Sequence, residues 1–182
     1  DSKPSFTSRP TPRPTPPMPR PSSAAPVPIF FVSRNSSFDR SPVNDIKQIE
    51  GMVDVGLIEG GCCNEENVRV LREFRQHCRV LVSVGDCAIH GGVPALRNMV
   101  PLAECLREAY VDGPSVDNPG GRFPDDAEIP LLLDKVCPTH EVVKIDYYLP
   151  GCPPSADTLW AALTALLAGR APELPYELLK YD

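Results

Sequence analysis

The sequence has no apolar run long enough to span a bilayer. Its most apolar stretch near the start, residues 27–32, is short and contains a proline, whereas a membrane helix needs roughly 18 to 20 apolar residues. A secretory signal is not indicated either, because a proline-crowded segment precedes this stretch and no small-residue cleavage pattern follows it. We therefore expect a cytoplasmic protein with no membrane association.

The chain also lacks an excess of basic residues. Its formal net charge is −6 and its pI is near 5.1, so we expect no general affinity for nucleic acid. The 182 residues, 42% of them hydrophobic, suffice for one core of ordinary size and not for two large ones. Seven cysteines are an odd number in a chain of this length, which favours reduced thiols used in metal or redox chemistry over a disulfide framework.

The common short signatures of nucleotide and zinc chemistry are absent. There is no GxGxxG, no P-loop and no HExxH, so none of these sites has a local signal. We interpret His90, three residues after Cys87, as a loop histidine bonded to backbone; a metal ligand, a proton carrier and a Cys87–His90 nucleophile pair are the alternatives. His77 is interpreted as a partner of a helix dipole, and His140 as structural.

Residues 1–28 contain ten prolines, a composition that cannot sustain a hydrogen-bonded helix or sheet. They are predicted to form an extended, disordered tail, and residues 29–182 to form one domain. Charge divides near the same place, since residues 1–34 carry a net charge of +4 and residues 35–182 one of −10. A solvated leader is the first interpretation of the tail, and a proline-rich ligand for an aromatic groove is the alternative.

Beyond the tail, apolar runs alternate with helical patterns, which predicts an α/β domain with a mostly parallel sheet. The predicted strands cover 28–33, 53–58, 79–84 and 141–149. The predicted helices start after Asn64, cover 101–110, and run from Ser155 to Gly169. Asn64 and Ser155 are the expected N-cap residues and Gly169 the residue that follows the last helix. Residues 111–130 are predicted to be a long irregular excursion.

Three of the predicted strands end in loops that carry cysteine. These loops are GGCC at 60–63, GDC at 85–87 and PGCPP at 150–154. Because the carboxyl ends of parallel strands meet at one edge of a sheet, we expect the loops to converge there. Glycine in each loop permits the close backbone approach that N–H bonds to cluster sulfides require. The coincidence therefore points to a metal site, although each cysteine taken alone is more simply a small buried hydrophobe.

The remaining cysteines carry no such signal. Cys78 and Cys105 have apolar neighbours at helix or strand positions and are assigned to the core. Cys137 stands at the start of the predicted fourth strand and is assigned to the opposite edge of the sheet.

Several motifs in order carry a family resemblance. They are VGLIEGG at 55–61, VSVGDCA at 82–88, GVPALRN at 92–98, HEVVK at 140–144 and PGCPP at 150–154. From about residue 41 onward the chain resembles the small, electron-transferring subunit of NAD-reducing nickel–iron hydrogenases, within the superfamily of the 20 kDa subunit of NADH:quinone oxidoreductase. The resemblance implies a flavodoxin-like, three-layer α/β domain.

The resemblance also implies a function. Electrons would pass from the nickel–iron site of a large partner subunit through a proximal [4Fe–4S] cluster toward diaphorase subunits that reduce NAD. Cys87 and Cys152 match two of the four cluster ligands, and Glu59 matches a position near the cluster and the subunit contact. The active site belongs to the partner, so no catalytic residue and no independent activity are expected on this chain.

One feature departs from the family. The family takes its other two ligands from a CxxC-type loop after the first strand, and this sequence has no CxxC. The first strand and helix are therefore predicted to be atypical or missing, which leaves an exposed sheet edge unless residues 28–33 or the partner cover it. Cys62 and Cys63 are the alternative source of thiolates.

Two other functions stay open. The missing CxxC favours a scaffold or assembly subunit without a cluster, or a misread gene product, that keeps only the partner-binding surface. A flavin-binding flavodoxin-like protein is the third hypothesis, against which stands the lack of a Ser/Thr-rich phosphate loop after the first predicted strand.

Overall fold

A computed structural model describes the backbone of residues 29–32 and 37–40 and all atoms of residues 51–179. The predicted tail at residues 1–28 lies outside the described residues. The described strands are β1 (Ile29–Val32), β2 (Ser37–Arg40), β3 (Val53–Glu59), β4 (Cys62–Asn64), β5 (Cys78–Val84), β6 (Leu132–Cys137) and β7 (Tyr147–Leu149). The described α-helices are α1 (Glu65–His77), α2 (Gly85–His90), α3 (Leu102–Arg107) and α4 (Ala156–Leu167).

Five strands form one sheet in the order β2-β1-β3-β5-β7, and β4 pairs with β6 in a second, two-stranded sheet. Strands β3, β5 and β7 are parallel, while β1 runs antiparallel to both of its neighbours. The predicted α/β class is confirmed, and the sheet is mixed, with three parallel strands and an antiparallel pair at one edge. Among the described residues, no helix combines the length and the apolar character that crossing a bilayer demands.

The first strand is atypical, as predicted. In the antiparallel pairing of β1 with β3, Ile29 lies opposite Ile58 and Val32 lies opposite Val55. Strand β1 therefore pairs with the edge of β3, whose backbone hydrogen-bonding groups would otherwise be exposed. Strand β2 is the edge strand on this side of the sheet. Because β1 runs against β3, its last residue lies toward the amino end of β3 and not toward the carboxyl edge of the parallel strands.

The sheet is packed on both faces. On one face, α1 contributes Val70, Leu71 and Phe74 to a core cluster that includes Ile58 and Leu81. On the other face, Ala162 of α4 belongs to a cluster with four residues of β3 and β5 and one of β7. These residues are Val55, Leu57, Val82, Val84 and Leu149. The arrangement of α1, sheet and α4 gives the three layers that the sequence predicted.

Local signals place the helices that flank the sheet. The Asn64 side chain accepts a hydrogen bond of 2.8 Å from the backbone N–H of Asn67 and caps α1, and Ser155 caps α4 through the N–H of Thr158. Gly169 follows α4 with a φ of +73°, a conformation that costs glycine little. All three predicted end signals are confirmed.

The predicted strand at 141–149 is shorter than expected. Residues Thr139–Glu141 form a 3₁₀ turn, and only Tyr147–Leu149 pair with β5. The backbone of Leu81 bonds instead to Asp146: its N–H donates to the carboxylate at 2.8 Å, and its carbonyl accepts from the Asp146 N–H at 2.9 Å. The Asp146 side chain thus replaces one of the backbone hydrogen bonds of a regular strand pair. Strand β7 begins only at the next residue, Tyr147.

Strands β4 and β6 were not predicted, because each is short and neither alternates clearly between apolar and polar residues. Their pairing places Cys137 directly opposite Cys62. The assignment of Cys137 to the opposite edge of the large sheet is therefore wrong. The irregular excursion at 111–130 is confirmed: apart from the end of a π-helical turn at Glu108–Asp112, these residues form neither helix nor strand.

Candidate metal centre

The three parallel strands end in one row. Glu59 of β3 lies in register with Val84 of β5, and Val84 lies in register with Leu149 of β7. The loops that follow β5 and β7 reach Cys87 and Cys152, each three residues beyond its strand end. The expected convergence of two cysteine-bearing loops at the carboxyl edge is what the structure shows.

A backbone hydrogen bond joins these two loops immediately before their cysteines. The N–H of Asp86 donates to the carbonyl oxygen of Gly151 at 2.9 Å. Asp86 precedes Cys87 and Gly151 precedes Cys152, so the bond fixes the two cysteine backbones relative to each other. Gly85 has a φ of +80°, which turns the chain sharply from β5 into α2.

Cys87 lies in the first turn of α2 and is half-buried. Its Sγ packs against the backbone of Gly92, where a Cβ would lie only 2.9 Å from the sulfur and 3.0 Å from a carboxylate oxygen of Asp86. Glycine is therefore required at position 92 for the chain to pass this close to the thiol.

Cys152 is exposed and lies in the loop after β7. The preceding Gly151 has a φ of +140°, and a Cβ there would lie 2.5 Å from Cα and 2.6 Å from the nitrogen of Pro154. Only glycine fits this conformation, so the PGCPP sequence sets the path of the loop that presents the Cys152 thiol.

The adjacent cysteines after β3 do not extend this pair. Cys62 is completely buried in the core cluster on the α1 face, and its burial, followed by the nearby Cys137, raises the pKa of its thiol to about 12. Cys63 points the other way, and its Sγ donates a hydrogen bond of 3.1 Å to Oδ1 of Asn67. Because the core cluster encloses the Cys62 side chain completely, its thiol is not presented with the exposed Cys152 thiol.

Two further assignments are resolved by the structure. Cys78 is buried in the same cluster, and burial raises the pKa of its thiol to about 12, which confirms its assignment to the core. Cys105 is only half-buried in α3, and its Sγ faces the carbonyl oxygens of Arg97 and Val100. The core assignment of Cys105 is therefore wrong, because α3 contributes no buried residue.

The cysteine positions decide how well a [4Fe–4S] cluster fits, because such a cluster needs four thiolates. All seven cysteines lie within the described residues, and two of them follow the aligned strand ends with suitable exposure. Within residues 51–179, no group of three or more histidine, cysteine or acidic side chains is arranged to hold a metal ion. The residues present fit half of a four-cysteine set and do not form a complete one.

The direction of β1 is consistent with the lack of two further cysteine ligands at this edge. A strand parallel to β3 would deliver its following loop to the edge where Cys87 and Cys152 lie. Strand β1 is antiparallel instead and ends at Val32, opposite Val55. Val32, the last residue of β1, therefore lies away from the edge that carries Cys87 and Cys152.

The other polar residues predicted near the site have individual positions. Glu59 is exposed at the end of β3, in the row of strand ends. His90 ends α2, and its Nδ1 lies 2.8 Å from Oδ1 of Asp86, so its partner is a carboxylate and not the expected backbone. His140 is exposed and makes an edge contact with the Tyr148 ring.

His77 is the last residue of α1, as predicted for a partner of the helix dipole. Its Nδ1 lies 2.8 Å from the carbonyl oxygen of Gly51. This position is at the amino end of β3, so His77 has no place in the candidate site.

The surface beside Cys87 is a feature that the sequence motifs did not predict. The 3₁₀ helix Val93–Met99 has about three residues per turn, so residues three apart lie on one face. That face carries Val93, Leu96 and Met99, whose exposed fractions are 71%, 62% and 83%. The sequence GVPALRNM does place an apolar residue at every third position. These residues share one face only in a 3₁₀ helix, which the sequence did not predict.

Two polar side chains hold this helix to β6. The Asn98 amide donates to the carbonyl of Val136 at 2.9 Å and accepts from its N–H at 2.7 Å, as a paired strand residue would. Arg97 donates to the carbonyl of Leu133 at 2.7 Å. These hydrogen bonds attach the helix with the exposed apolar face to β6.

Comparison with known proteins agrees with this architecture. A family model described as NADH ubiquinone oxidoreductase, 20 Kd subunit, matches residues 25–166, which is more than half of the chain. The chain belongs to this family. The match covers the three parallel strands and the loops that carry Cys87 and Cys152.

Hydrogenase subunits are among the relatives of this chain. The chain is 46% identical over 145 residues to the NAD-reducing hydrogenase HoxS subunit delta of Cupriavidus necator, covering 79% of this chain and 69% of that protein. It is 39% identical over 149 residues to a subunit of the F420-non-reducing hydrogenase of Methanothermobacter thermautotrophicus, covering 81% of this chain and 48% of that protein. The chain thus spans about half the length of the second relative.

A solved structure shares the fold. A chain in the crystal structure of NAD+-reducing [NiFe]-hydrogenase in the H2-reduced state superposes with a TM-score of 0.73 at 52% identity, covering 79% of each chain. This similarity supports the flavodoxin-like fold of the family for the described residues.

Proposed function

We propose that this chain is the small subunit of a hydrogenase-type oxidoreductase complex. In this proposal, it binds a large nickel–iron subunit through the edge that carries Cys87 and Cys152, and those two thiols are ligands of an iron–sulfur cluster. The cluster supplies one-electron chemistry when bound, between the nickel–iron subunit and diaphorase subunits that reduce NAD. The chain has no active site of its own.

The observation that carries the proposal is the coupling of two cysteine loops at one sheet edge. Aligned strand ends and the hydrogen bond from Asp86 to Gly151 hold the Cys87 and Cys152 backbones together. Gly92 leaves room for the Cys87 thiol, and Gly151 lets the loop that carries Cys152 fold back against Pro154. The named relatives, which are subunits of hydrogenases, favour this use of the edge over other metal chemistry.

The surface next to the edge supports a protein partner. The apolar face of Val93, Leu96 and Met99 starts six residues after Cys87 and is anchored through Arg97 and Asn98. An exposed apolar face of this kind is costly in an isolated protein and is typical of a protein contact. Its position beside the cysteine loops fits the large subunit as the occupant.

The shortage of thiols favours a second candidate function. With two cysteines at the edge and none of the other five suitably placed, a scaffold or assembly subunit without a cluster would retain the same partner surface. The electron-transfer subunit and the scaffold subunit would form the same protein complex. They differ in whether this chain carries iron and sulfide.

Anaerobic co-expression with a large nickel–iron subunit separates these functions. Acid-labile sulfide in the purified pair decides the question, because iron–sulfur clusters contain it. About four sulfides for each copy of this chain support the electron-transfer proposal, and the further ligands are then sought by cysteine replacement. A stable pair without sulfide supports the scaffold, and failure to form any pair contradicts both.

A further inference from the structure

Cys62 and Cys137 form a second pair of thiols, separate from the candidate metal centre. They are register partners in the antiparallel pairing of β4 with β6, in which the register shifts only beyond Cys62, before Asn64. Directly opposed residues in such a ladder have Cα atoms about 4.5–5.5 Å apart and side chains on the same face. That separation lies within the range that a disulfide bridges.

The surroundings of the two thiols agree with this register. Cys62 is buried in the core cluster that includes Ile58 and Leu71, and Cys137 packs against the same cluster while half-buried. Cys63 projects to the other side of β4, where its thiol bonds to Asn67. Only one of the two adjacent cysteines therefore faces Cys137.

The two thiols differ in access. Cys62 has no exposed surface, whereas Cys137 is half-buried, and its Sγ lies 3.8 Å from the carbonyl oxygen of Lys135. A small oxidant can therefore reach Cys137 before it reaches Cys62. Cys62 is then the buried partner that completes a bond.

We propose that Cys62 and Cys137 are a reversible modification site that forms a disulfide across β4 and β6 when a low-molecular-weight disulfide is the oxidant. The Cys137 sulfur attacks that disulfide and releases one small thiol. The Cys62 sulfur then attacks the Cys137 sulfur of the mixed disulfide and releases the second. The protein loses two electrons and two protons, and one small disulfide becomes two thiols.

The bond would form directly behind the Cys87 loop. A Cβ on Gly61, the residue before Cys62, would lie 3.2 Å from the carbonyl oxygen of Cys87 and 2.9 Å from Cγ1 of Val136, the residue before Cys137. A disulfide between β4 and β6 would restrain the backbone around Gly61, which lies next to the carbonyl oxygen of Cys87. Neither Cys87 nor Cys152 takes part in the reaction.

Oxidised glutathione and peptide mapping test this site in the full chain. Trypsin places Cys62 and Cys63 in peptide 48–69 and Cys137 alone in peptide 136–144. We expect these two peptides to become linked by a bond that dithiothreitol cleaves. The link should persist in Cys63→Ser and be lost in Cys62→Ser and in Cys137→Ser. The oxidised wild type should also unfold at a Tm roughly 5–10 °C higher than the reduced one.

Several results would overturn the proposal. One is stable glutathione on Cys137 with no linked peptide, and another is a link that survives in Cys62→Ser. Since Cys62 is a core residue and its replacement can impair folding, the half-buried Cys137→Ser serves as the second variant. A linked peptide 48–69 in Cys137→Ser would show that a different cysteine is the partner.

Discussion

The N–H of Asp86 donates a 2.9 Å hydrogen bond to the carbonyl oxygen of Gly151. This contact links the end of one parallel strand to the end of the next, one residue before each candidate ligand. The glycine at 151 permits the bond because its φ of +140° is closed to other residues. The geometry of the candidate site therefore depends on backbone groups as much as on the two thiols.

Replacing Gly151 tests this dependence. Gly151→Ala places a Cβ against the backbone of Pro154, so the loop has to move. We expect a loss of about 3 kcal/mol in the free energy of unfolding, measured by urea denaturation. Gly121→Ala is the control, because Gly121 has a φ of +58° with no atom within 4 Å of the added Cβ; it should cost about 1 kcal/mol. Equal losses in the two variants would contradict the crowded-loop account.

A charge pair near the other end of β5 predicts a pH dependence. Burial disfavours the Asp146 carboxylate, but the N–H of Leu81 and the guanidinium of Arg75, 2.5 Å away, outweigh it and hold the pKa of Asp146 below its ordinary value. Since the folded-state pKa is the lower one, the stabilisation is complete above the unfolded pKa of about 3.9. It is lost as the pH falls through the folded pKa.

We therefore expect Asp146→Asn to lower the free energy of unfolding by about 1–3 kcal/mol at pH 7. The difference from wild type should shrink below about pH 4, which urea titrations at several pH values measure. Asp112→Asn, which breaks an exposed pair with Arg107, is the control and should change stability by about 0–1 kcal/mol. A difference for Asp146→Asn that stays constant down to pH 2 would contradict this prediction.

The thiols should differ in reactivity. Burial raises the pKa of Cys62 and of Cys78 to about 12, so both thiols are protonated at pH 8 and react slowly with alkylating reagents. Iodoacetamide on the reduced, metal-free native chain should label Cys152 and leave both buried thiols unlabelled, whereas denaturant should expose all seven. Mass spectrometry of tryptic peptides measures this directly. Rapid native labelling of Cys62 would show that β4 is not held in the core.

The apolar face beside Cys87 should contribute to partner binding. We expect Met99→Lys to weaken binding of the large subunit about 30-fold or more while changing stability by about 0.5 kcal/mol or less. Trp160→Lys on α4 is the control, because Trp160 is similarly exposed at 72% but lies on another element. Binding titrations with the purified large subunit measure both. Equal weakening by the two variants would argue against this face.

Much of the fold was predictable because local signals and packing agree. Asn64, Ser155 and Gly169 mark helix ends through short-range bonds that a sequence shows directly. The apolar runs in β3 and β5 correspond to strands covered on both faces. The convergence of the glycine-cysteine loops at the carboxyl edge was then predictable, because parallel strands end at the same edge of a sheet.

The parts that could not be predicted depend on long-range pairing. Asp146 bonds to Leu81 across 65 positions and shortens β7, and no local pattern encodes that contact. The pairing of Cys62 with Cys137 depends on two short strands far apart in the sequence. His90 was assigned to backbone, but the carboxylate of Asp86 one helical turn earlier is its partner.

The most direct test of the central claim compares cysteine variants of the co-expressed complex. The account predicts that Cys87→Ser and Cys152→Ser each lower acid-labile sulfide and the EPR signal of the reduced complex by more than half, and that the large subunit still co-purifies. Cys105→Ser, which replaces a half-buried cysteine outside the site, should leave both unchanged. Sulfide and EPR signal that are the same in all three variants and in wild type would contradict the assignment of Cys87 and Cys152 as ligands.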